Sequence, residues 1–173
     1  MFKSQEWYSD YGRVLRMKGI HRVVIPVDTG DVSKVAAEQG AYFAKLLKVG
    51  VSIISVNDSR QYMLSTMLEE KIQKEKEFAV EEVKKIAEGQ GVETTTMLAT
   101  GAPAHEIVKY AQEDDLIVMA SQGKKGFNKF LLGSVSEEVL KTAPCAVMII
   151  KEKTNVRSID FLSNRPPPQI KKR

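Results

Sequence analysis

Hydrophobic residues fall into five short runs along the chain, at 23–27, 51–56, 92–98, 116–120 and 146–150. Three of the runs are continuously apolar and the run at 51–56 is interrupted only by two serines, which is typical of strands buried on both faces of a parallel sheet. The run at 92–98 alternates polar and apolar residues, which favours a half-exposed strand. The pattern therefore predicts five strands.

The stretches between these runs carry apolar residues at helical spacing. A helix is predicted from an N-cap at Asp31 to a stop at Gly50, and a long charged helix over 64–86 that ends at Gly-Gln-Gly. Pro103 opens a third helix, and a fourth is predicted over 135–142. Alternating strands and helices indicate an α/β fold, a doubly wound parallel sheet with helices on both faces.

Doubly wound sheets bind ligands beyond the carboxyl ends of their strands. Asp28 follows the first strand, and a segment rich in glycine and lysine follows the fourth. In that segment Ser134 and Glu137 fit an S-x-x-E capping box at the start of a helix, whose amides suit an anion. The capping box alone also explains Ser134, so composition leaves a phosphate site and a plain loop both open. The P-loop and dinucleotide fingerprints are absent, which argues against a conventional NTPase.

The chain has 173 residues, 43% of them hydrophobic and 28% charged, which is typical of one soluble domain. Its apolar runs are too short to span a membrane and its start lacks the apolar centre of a secretory signal, so we expect a cytoplasmic protein without membrane contact. Cys145 is the only cysteine, and we expect it to be a buried small residue near a strand start. No internal disulfide can form.

The net charge of +4 is unevenly distributed. Residues 1–22 hold five basic and two acidic side chains, and residues 151–173 hold seven and two. The remainder holds 14 basic and 18 acidic residues, so it is net acidic. We therefore expect no nucleic-acid partner for the domain, whereas the basic ends are either solvated termini or contacts for an anionic partner.

Several segments together resemble the universal stress protein family, the UspA-like proteins. They are VVIPVD at 23–28, SVND at 55–58, TGAPAHEIVKYA at 100–111, DLIVMASQG at 115–123 and LLGSVSEEVLKTAPCAVMIIK at 131–151. The resemblance covers 20–151 and leaves an N-terminal extension, 1–19, and a basic, proline-containing tail, 152–173. It implies a nucleotide-binding, α/β hydrolase-like fold with strand order 3-2-1-4-5.

The ATP-binding branch of that family carries Gly-x-x-Gly, nine residues, then Gly-Ser or Gly-Thr after the fourth strand. Gly123 and Gly133-Ser134 match this pattern, while Ala120 replaces the first glycine. If that position needs positive φ, alanine is strained there; if it needs only clearance, one methyl group is tolerated.

The resemblance also implies roles for the residues of an ATP site. Asp28 would accept a hydrogen bond from a ribose hydroxyl, and a Mg²⁺ ion would bridge phosphate oxygens. The nucleoside would contact Pro26, Val27, Asp28, Val56, Met119 and Ala120, and the phosphates Gly123, Gly133, Ser134 and Val135. A homodimer joined through the last strand, Ala146–Ile150, is the implied assembly, alongside an unidentified protein partner.

No catalytic constellation stands out from the sequence. His21 and His105 are expected on the surface, and Asp114-Asp115 in a solvated turn at the opposite end of the sheet. Near the phosphate segment, Gln122, Ser136 and Glu137 alone could orient water. The leading hypothesis is an ATP-binding regulatory module of the stress response; a slow ATP hydrolase and a nucleotide-free dimeric scaffold are the alternatives.

Overall fold

The computed structural model describes residues 19–29, 32–59, 66–121 and 132–151. Strands and helices alternate in these ranges as the sequence predicts. They are β1 (Arg22–Pro26), α1 (Val32–Leu47), β2 (Gly50–Asn57), α2 (Thr66–Gly89), β3 (Thr94–Thr100), α3 (Pro103–Tyr110), β4 (Asp115–Ala120), α4 (Ser134–Thr142) and β5 (Ala146–Ile150). The predicted N-cap Asp31 and the predicted phosphate ligand Gly123 lie outside the described residues, as do the tail and all of the extension but Gly19.

The five strands form one parallel sheet in the order β3-β2-β1-β4-β5, which confirms the expected order. From β1 the chain adds β2 and then β3 toward one edge of the sheet, and it then returns to place β4 and β5 toward the other edge. The direction of strand addition therefore reverses between the adjacent strands β1 and β4. This is the position at which open α/β sheets bind ligands.

Each face of the sheet is covered by two helices, which explains the continuous apolar runs. On one face Val23 and Ile25 of β1 pack with alanines of α1 and with Val80 and Val83 of α2. On the other face Val24 clusters with residues of α3 and α4, including Val139. Consecutive residues of a strand point to opposite faces of the sheet. Because helices cover both faces, Val23, Val24 and Ile25 are all fully buried.

The end of α1 differs from its prediction. Lys48, with a φ of 58°, follows the helix, and the Val49 N–H donates to the Ala44 carbonyl at 3.0 Å. This is the hydrogen-bond pattern that normally closes a helix on a left-handed glycine. Gly50 is instead the first residue of β2, so the prediction that it ends the helix is wrong.

The prediction of a solvated Asp115 is also wrong. Asp115 begins β4 and is 3% exposed, and its carboxylate accepts hydrogen bonds from Arg22 Nε at 3.0 Å and from the Gln112 N–H at 2.9 Å. The hydrogen bond to Asp115 raises the pKa of the Arg22 guanidinium above its ordinary value. Asp115 therefore ties β1 to β4 at the amino end of the sheet. A partner 93 residues away compensates its burial.

Candidate functional site

The backbone at the carboxyl end of β1 is held by contacts on both sides. The Val27 N–H donates to the Ile54 carbonyl at 2.8 Å, and the Ser55 hydroxyl donates to the Val27 carbonyl at 3.0 Å. One residue further, the Asp28 N–H donates to Ser33 Oγ of α1 at 3.1 Å. The backbone that carries the Asp28 side chain is therefore fixed by β2 and by the first turn of α1.

The Asp28 carboxylate forms an ion pair that the sequence analysis did not anticipate. Lys76 Nζ of α2 lies 3.0 Å from Asp28 Oδ1. The Lys76 side chain is 10% exposed, whereas that of Asp28 is 46% exposed. The carboxylate thus has a buried cation on one side and access to solvent on the other.

The spacing of apolar residues in α2 indicates that Lys76 lies on the buried face of the helix. The buried residues of α2 are Lys76, Val80, Val83 and Ala87, at steps of three and four residues. Lys76 is the one charged residue in this buried stripe. A lysine on the apolar face of a helix requires a partner, because burying an unpaired ammonium group is costly.

A cavity of about 790 Å³ opens beside Asp28, between the end of β1, the start of α1 and the middle of α2. Val27 and Asp28 line it, whereas the other predicted site residues within the described ranges do not. Its walls carry both signs of charge, and Lys34 pairs with Glu82 across it at 2.9 Å. Thr29 Oγ1 is buried there and has no hydrogen-bond partner within the described residues. A partly enclosed space with charged and apolar walls therefore adjoins the carboxylate.

The start of α4 is held against the end of β4. The Ser121 N–H donates to the Ile150 carbonyl of β5, and the Gly133 N–H donates to the Ser121 carbonyl, both at 2.8 Å. The hydroxyl of Ser136, a buried residue, lies 3.0 Å from the same Ser121 carbonyl. The two ends of the glycine- and lysine-containing segment therefore meet at the carboxyl end of β4.

The predicted capping box at the start of α4 does not form. Gly133 is the N-cap, with φ −67° and ψ 153°, and no side chain caps the helix within the described residues. Glu137 instead pairs with Lys141 at 2.7 Å, and the hydrogen bond from Lys141 lowers the pKa of Glu137. Ser134 is the first helical residue and is exposed. Both side chains of the expected box belong to the first turn of α4, but neither caps the helix start, where an anion would bind.

Ala120 is not strained in this fold. It is the last residue of β4, where it pairs with Ile150, and Lys48 is the one non-glycine residue with positive φ among those described. The structure therefore removes the conformational objection to alanine at this position.

The apolar residues expected around the nucleoside lie at or near the carboxyl ends of β1, β2 and β4. Pro26 ends β1 and pairs with Ile54, while Val56 and Met119, each 5% exposed, belong to the core cluster on the α3 and α4 face. Val27 belongs to the cluster on the opposite face. The predicted residues thus surround the carboxyl ends of β1, β2 and β4 from both faces, and their contacts with a nucleotide stay predictions.

Other sequence expectations concern surface and sulfur chemistry. The side chains of His21 and His105 are 70% and 73% exposed, which confirms their surface positions. Cys145 is only partly buried. Within the described ranges, no cluster of three or more His, Cys, Asp or Glu residues could hold a metal ion. The same ranges contain no helix with the length and hydropathy needed to cross a membrane.

A model of the universal stress protein family matches residues 19–151, which include all the segments that carry the resemblance. The chain belongs to this family. It is 38% identical over 139 residues to a universal stress protein of Methanocaldococcus jannaschii, MJ0531, an alignment that covers 76% of this chain and 82% of the relative.

Solved structures of universal stress proteins share the fold. The structure of MJ0577 superimposes with a TM-score of 0.68 at 29% identity and covers 79% of this chain and 99% of its own. A universal stress protein from Archaeoglobus fulgidus, solved in complex with dAMP, gives a TM-score of 0.59 at 24% identity, covering 76% of this chain and 98% of its own. The sheet order of this chain is therefore the one expected for a member of the universal stress protein family.

Proposed function

We propose that this universal stress protein binds ATP at the carboxyl ends of β1 and β4 and acts as a regulatory module of the stress response. One observation carries the proposal. A half-exposed carboxylate on β1 and a helix start that no described side chain caps, on the β4 side, flank the point where the strand order reverses. A carboxylate suits ribose hydroxyls, and backbone amides at a helix start suit phosphates.

At the nucleoside end, Asp28 accepts hydrogen bonds from ribose hydroxyls. Its exposure of 46% leaves the carboxylate accessible, although Lys76 contacts it. Pro26, Val27, Val56 and Met119 form apolar walls around the base, and the Val56 backbone contacts the adenine. The flat adenine ring suits such a surface, because ligand pockets are mostly apolar with few polar groups.

At the phosphate end, the amides of Ser134 and Val135 and the Ser134 hydroxyl donate hydrogen bonds to phosphate oxygens, and Gly123 adds an amide from the preceding segment. The Gly133 N–H is bonded to the Ser121 carbonyl at 2.8 Å, so the predicted amide contact of Gly133 is wrong, and its lack of a side chain only leaves room for a phosphate. The amino end of α4 favours negative charge. Mg²⁺ would be held by phosphate oxygens and water, because this ion commonly binds nucleotides without a protein cage. The Archaeoglobus fulgidus relative, solved with dAMP, supports an adenine nucleotide as the ligand class.

The proposed assembly is a homodimer joined through β5. This strand is at one end of the sheet order, and its residues from Val147 to Ile150 are only partly buried. An edge strand with apolar residues exposes both hydrogen-bonding groups and hydrophobic surface, which a second copy would cover. Analytical ultracentrifugation should find a dimer at micromolar concentration, and a monomer there would contradict the assembly.

The first experiment identifies what the protein binds. Protein purified without added nucleotide is denatured in acid, the released small molecules are identified by mass spectrometry, and calorimetry measures binding of Mg-ATP, Mg-GTP and AMP. We expect an adenine nucleotide in the extract and tighter binding of ATP than of GTP. An extract without nucleotide, together with no heat on addition of Mg-ATP, would overturn the proposal.

A further inference from the structure

Lys76 is unusual in the described part of the chain because it is a buried lysine far from the amino end of its helix. It is 8% exposed and shares its stripe with Val80, Val83 and Ala87. Burying an ammonium group is costly unless a partner compensates it, and an apolar residue would pack there at no such cost. The position of Lys76 therefore requires an explanation other than the stability of α2.

The contact that Lys76 makes is directed at the carboxyl end of β1. Its Nζ lies 3.0 Å from Asp28 Oδ1, in a carboxylate that is itself 46% exposed. A surface carboxylate needs no counter-ion, because water solvates it well. The Asp28 carboxylate therefore does not depend on Lys76 for solvation. The main consequence of the ion pair for Asp28 is the orientation of its side chain.

The backbone around Asp28 and its side chain are held by different elements. Val27 is hydrogen-bonded to β2 on both its N–H and its carbonyl, and the Asp28 N–H is bonded to Ser33. These bonds fix the backbone. Lys76 contacts the carboxylate from α2 and restricts the side-chain torsions.

A second polar contact joins α2 to the carboxyl end of the neighbouring strand. Gln73, one turn before Lys76, accepts a hydrogen bond from Asn57 Nδ2 at 2.9 Å, and Asn57 is the last residue of β2. Residues three apart on a helix lie on one face. That face of α2 is therefore bonded to the carboxyl ends of both β1 and β2, so the ammonium group approaches Asp28 from a supported position.

We infer that Lys76 is a positioning residue that orients Asp28 toward the ribose and thereby determines selectivity for ribonucleotides over nucleotides that lack ribose hydroxyls. The inference rests on the proposed function and deepens it at the sugar. A preorganised acceptor binds without losing side-chain entropy at the moment of association. The benefit goes only to ligands with hydroxyl groups that can donate to the carboxylate.

The test compares ATP with 2′,3′-dideoxy-ATP in the wild type and in Lys76→Met, which keeps the apolar stem and removes the charge. We expect the wild type to favour ATP by about tenfold or more, the value of at least one hydrogen bond to a charged group. In Lys76→Met this ratio should fall below about threefold, with affinity for the dideoxy ligand changed less than the affinity for ATP. Lys85→Met, on the exposed side of α2, is the matched control and should keep the wild-type ratio.

Two further variants keep the test decisive. Lys76→Arg retains the charge and should keep part of the ratio, and Lys76→Gln, which removes the charge from a polar side chain, replaces Lys76→Met if that variant does not fold. Asp28→Asn should lower the ratio by itself, and adding Lys76→Met to it should lower the ratio no further, because both act through one acceptor. An unchanged ratio in folded Lys76 variants would overturn the inference while the proposed function stands. A wild type that binds no nucleotide would overturn both.

Discussion

Single residues decide the chemistry of this protein by the surroundings that the fold gives them. Asp114 and Asp115 are adjacent in sequence, yet the side chain of the first is 27% exposed and that of the second 2%. Ser134 and Ser136 are similarly close, and one is exposed while the other is buried against two carbonyl groups. Residue type alone therefore does not indicate which member of each pair is available to a ligand.

Cys145 illustrates how burial changes a titratable group. It lies just before β5, and desolvation raises the pKa of its thiol above the ordinary value. The thiolate is the reactive form, so the folded protein should be alkylated by iodoacetamide more slowly than the urea-unfolded protein at mildly alkaline pH.

The sign of the linked stability change follows from the same shift. As pH rises past the ordinary thiol pKa of about 8.5, the unfolded state ionises first, so the free energy of unfolding should decline from that pH upward. The measurement is the alkylation rate against pH with and without urea. Equal rates and equal midpoints in the two states would contradict the prediction.

At the scale of elements, the start of α4 is the feature that most affects ligand binding. Gly133 caps the helix with ψ 153°, a conformation compatible with a following proline, and Ser134 occupies the first helical position. Proline is well tolerated there, because the first N–H of a helix has no partner within the helix. A substitution can therefore remove one backbone donor without breaking the helix.

Ser134→Pro removes the amide donor and the hydroxyl, while Ser134→Ala removes the hydroxyl alone. We expect the proline variant to bind Mg-ATP about tenfold more weakly than the alanine variant, since a hydrogen bond to a charged phosphate contributes about 1.5–3 kcal/mol. The affinity for adenosine should be the same in both. Calorimetry measures the two ligands, and thermal unfolding checks that both variants fold. A proline variant that binds ATP as tightly as the alanine variant would exclude this amide from the phosphate site.

At the scale of the whole molecule, the two ends of the sheet have different tasks. At the amino end, Arg22 and Asp115 join β1 to β4, and the guanidinium lies 4.9 Å from the centre of the Tyr110 ring. At the carboxyl end, Asp28 and the start of α4 flank the predicted nucleotide site. Stability and ligand binding should therefore respond to different substitutions.

Asp115→Ala leaves the Arg22 guanidinium and the Gln112 N–H without their acceptor, and we expect it to lower the free energy of unfolding by about 3 kcal/mol. Asp114→Ala, beside the exposed His21 at 3.9 Å, should change it by less than about 0.5 kcal/mol. Urea unfolding measures both. The affinity for Mg-ATP should stay at the wild-type value in the folded fraction of each variant. A weaker affinity in Asp115→Ala would show that the two ends are coupled.

Much of this fold followed from local patterns in the sequence. Continuous apolar runs such as 23–27 predicted buried parallel strands, because a strand covered on both faces needs apolar side chains at every position. The matched segments, with Gly133-Ser134, indicated the family and a nucleotide at the strand ends. These inferences concern backbone periodicity and short motifs, which the chain encodes within a few residues.

Only the tertiary structure decided which polar residues meet. Lys76 and Asp28 are 48 residues apart, Arg22 and Asp115 are 93 apart, and neither pairing can be inferred from spacing in the chain. The end of α1 and the absence of a capping box also depended on how the next strand and the end of β4 approach each helix. The sequence by itself determined the order of strands and helices and led to the predicted place of the site. The packing of α2 on the sheet determined the electrostatics around Asp28, because ion pairs form between groups that folding brings together.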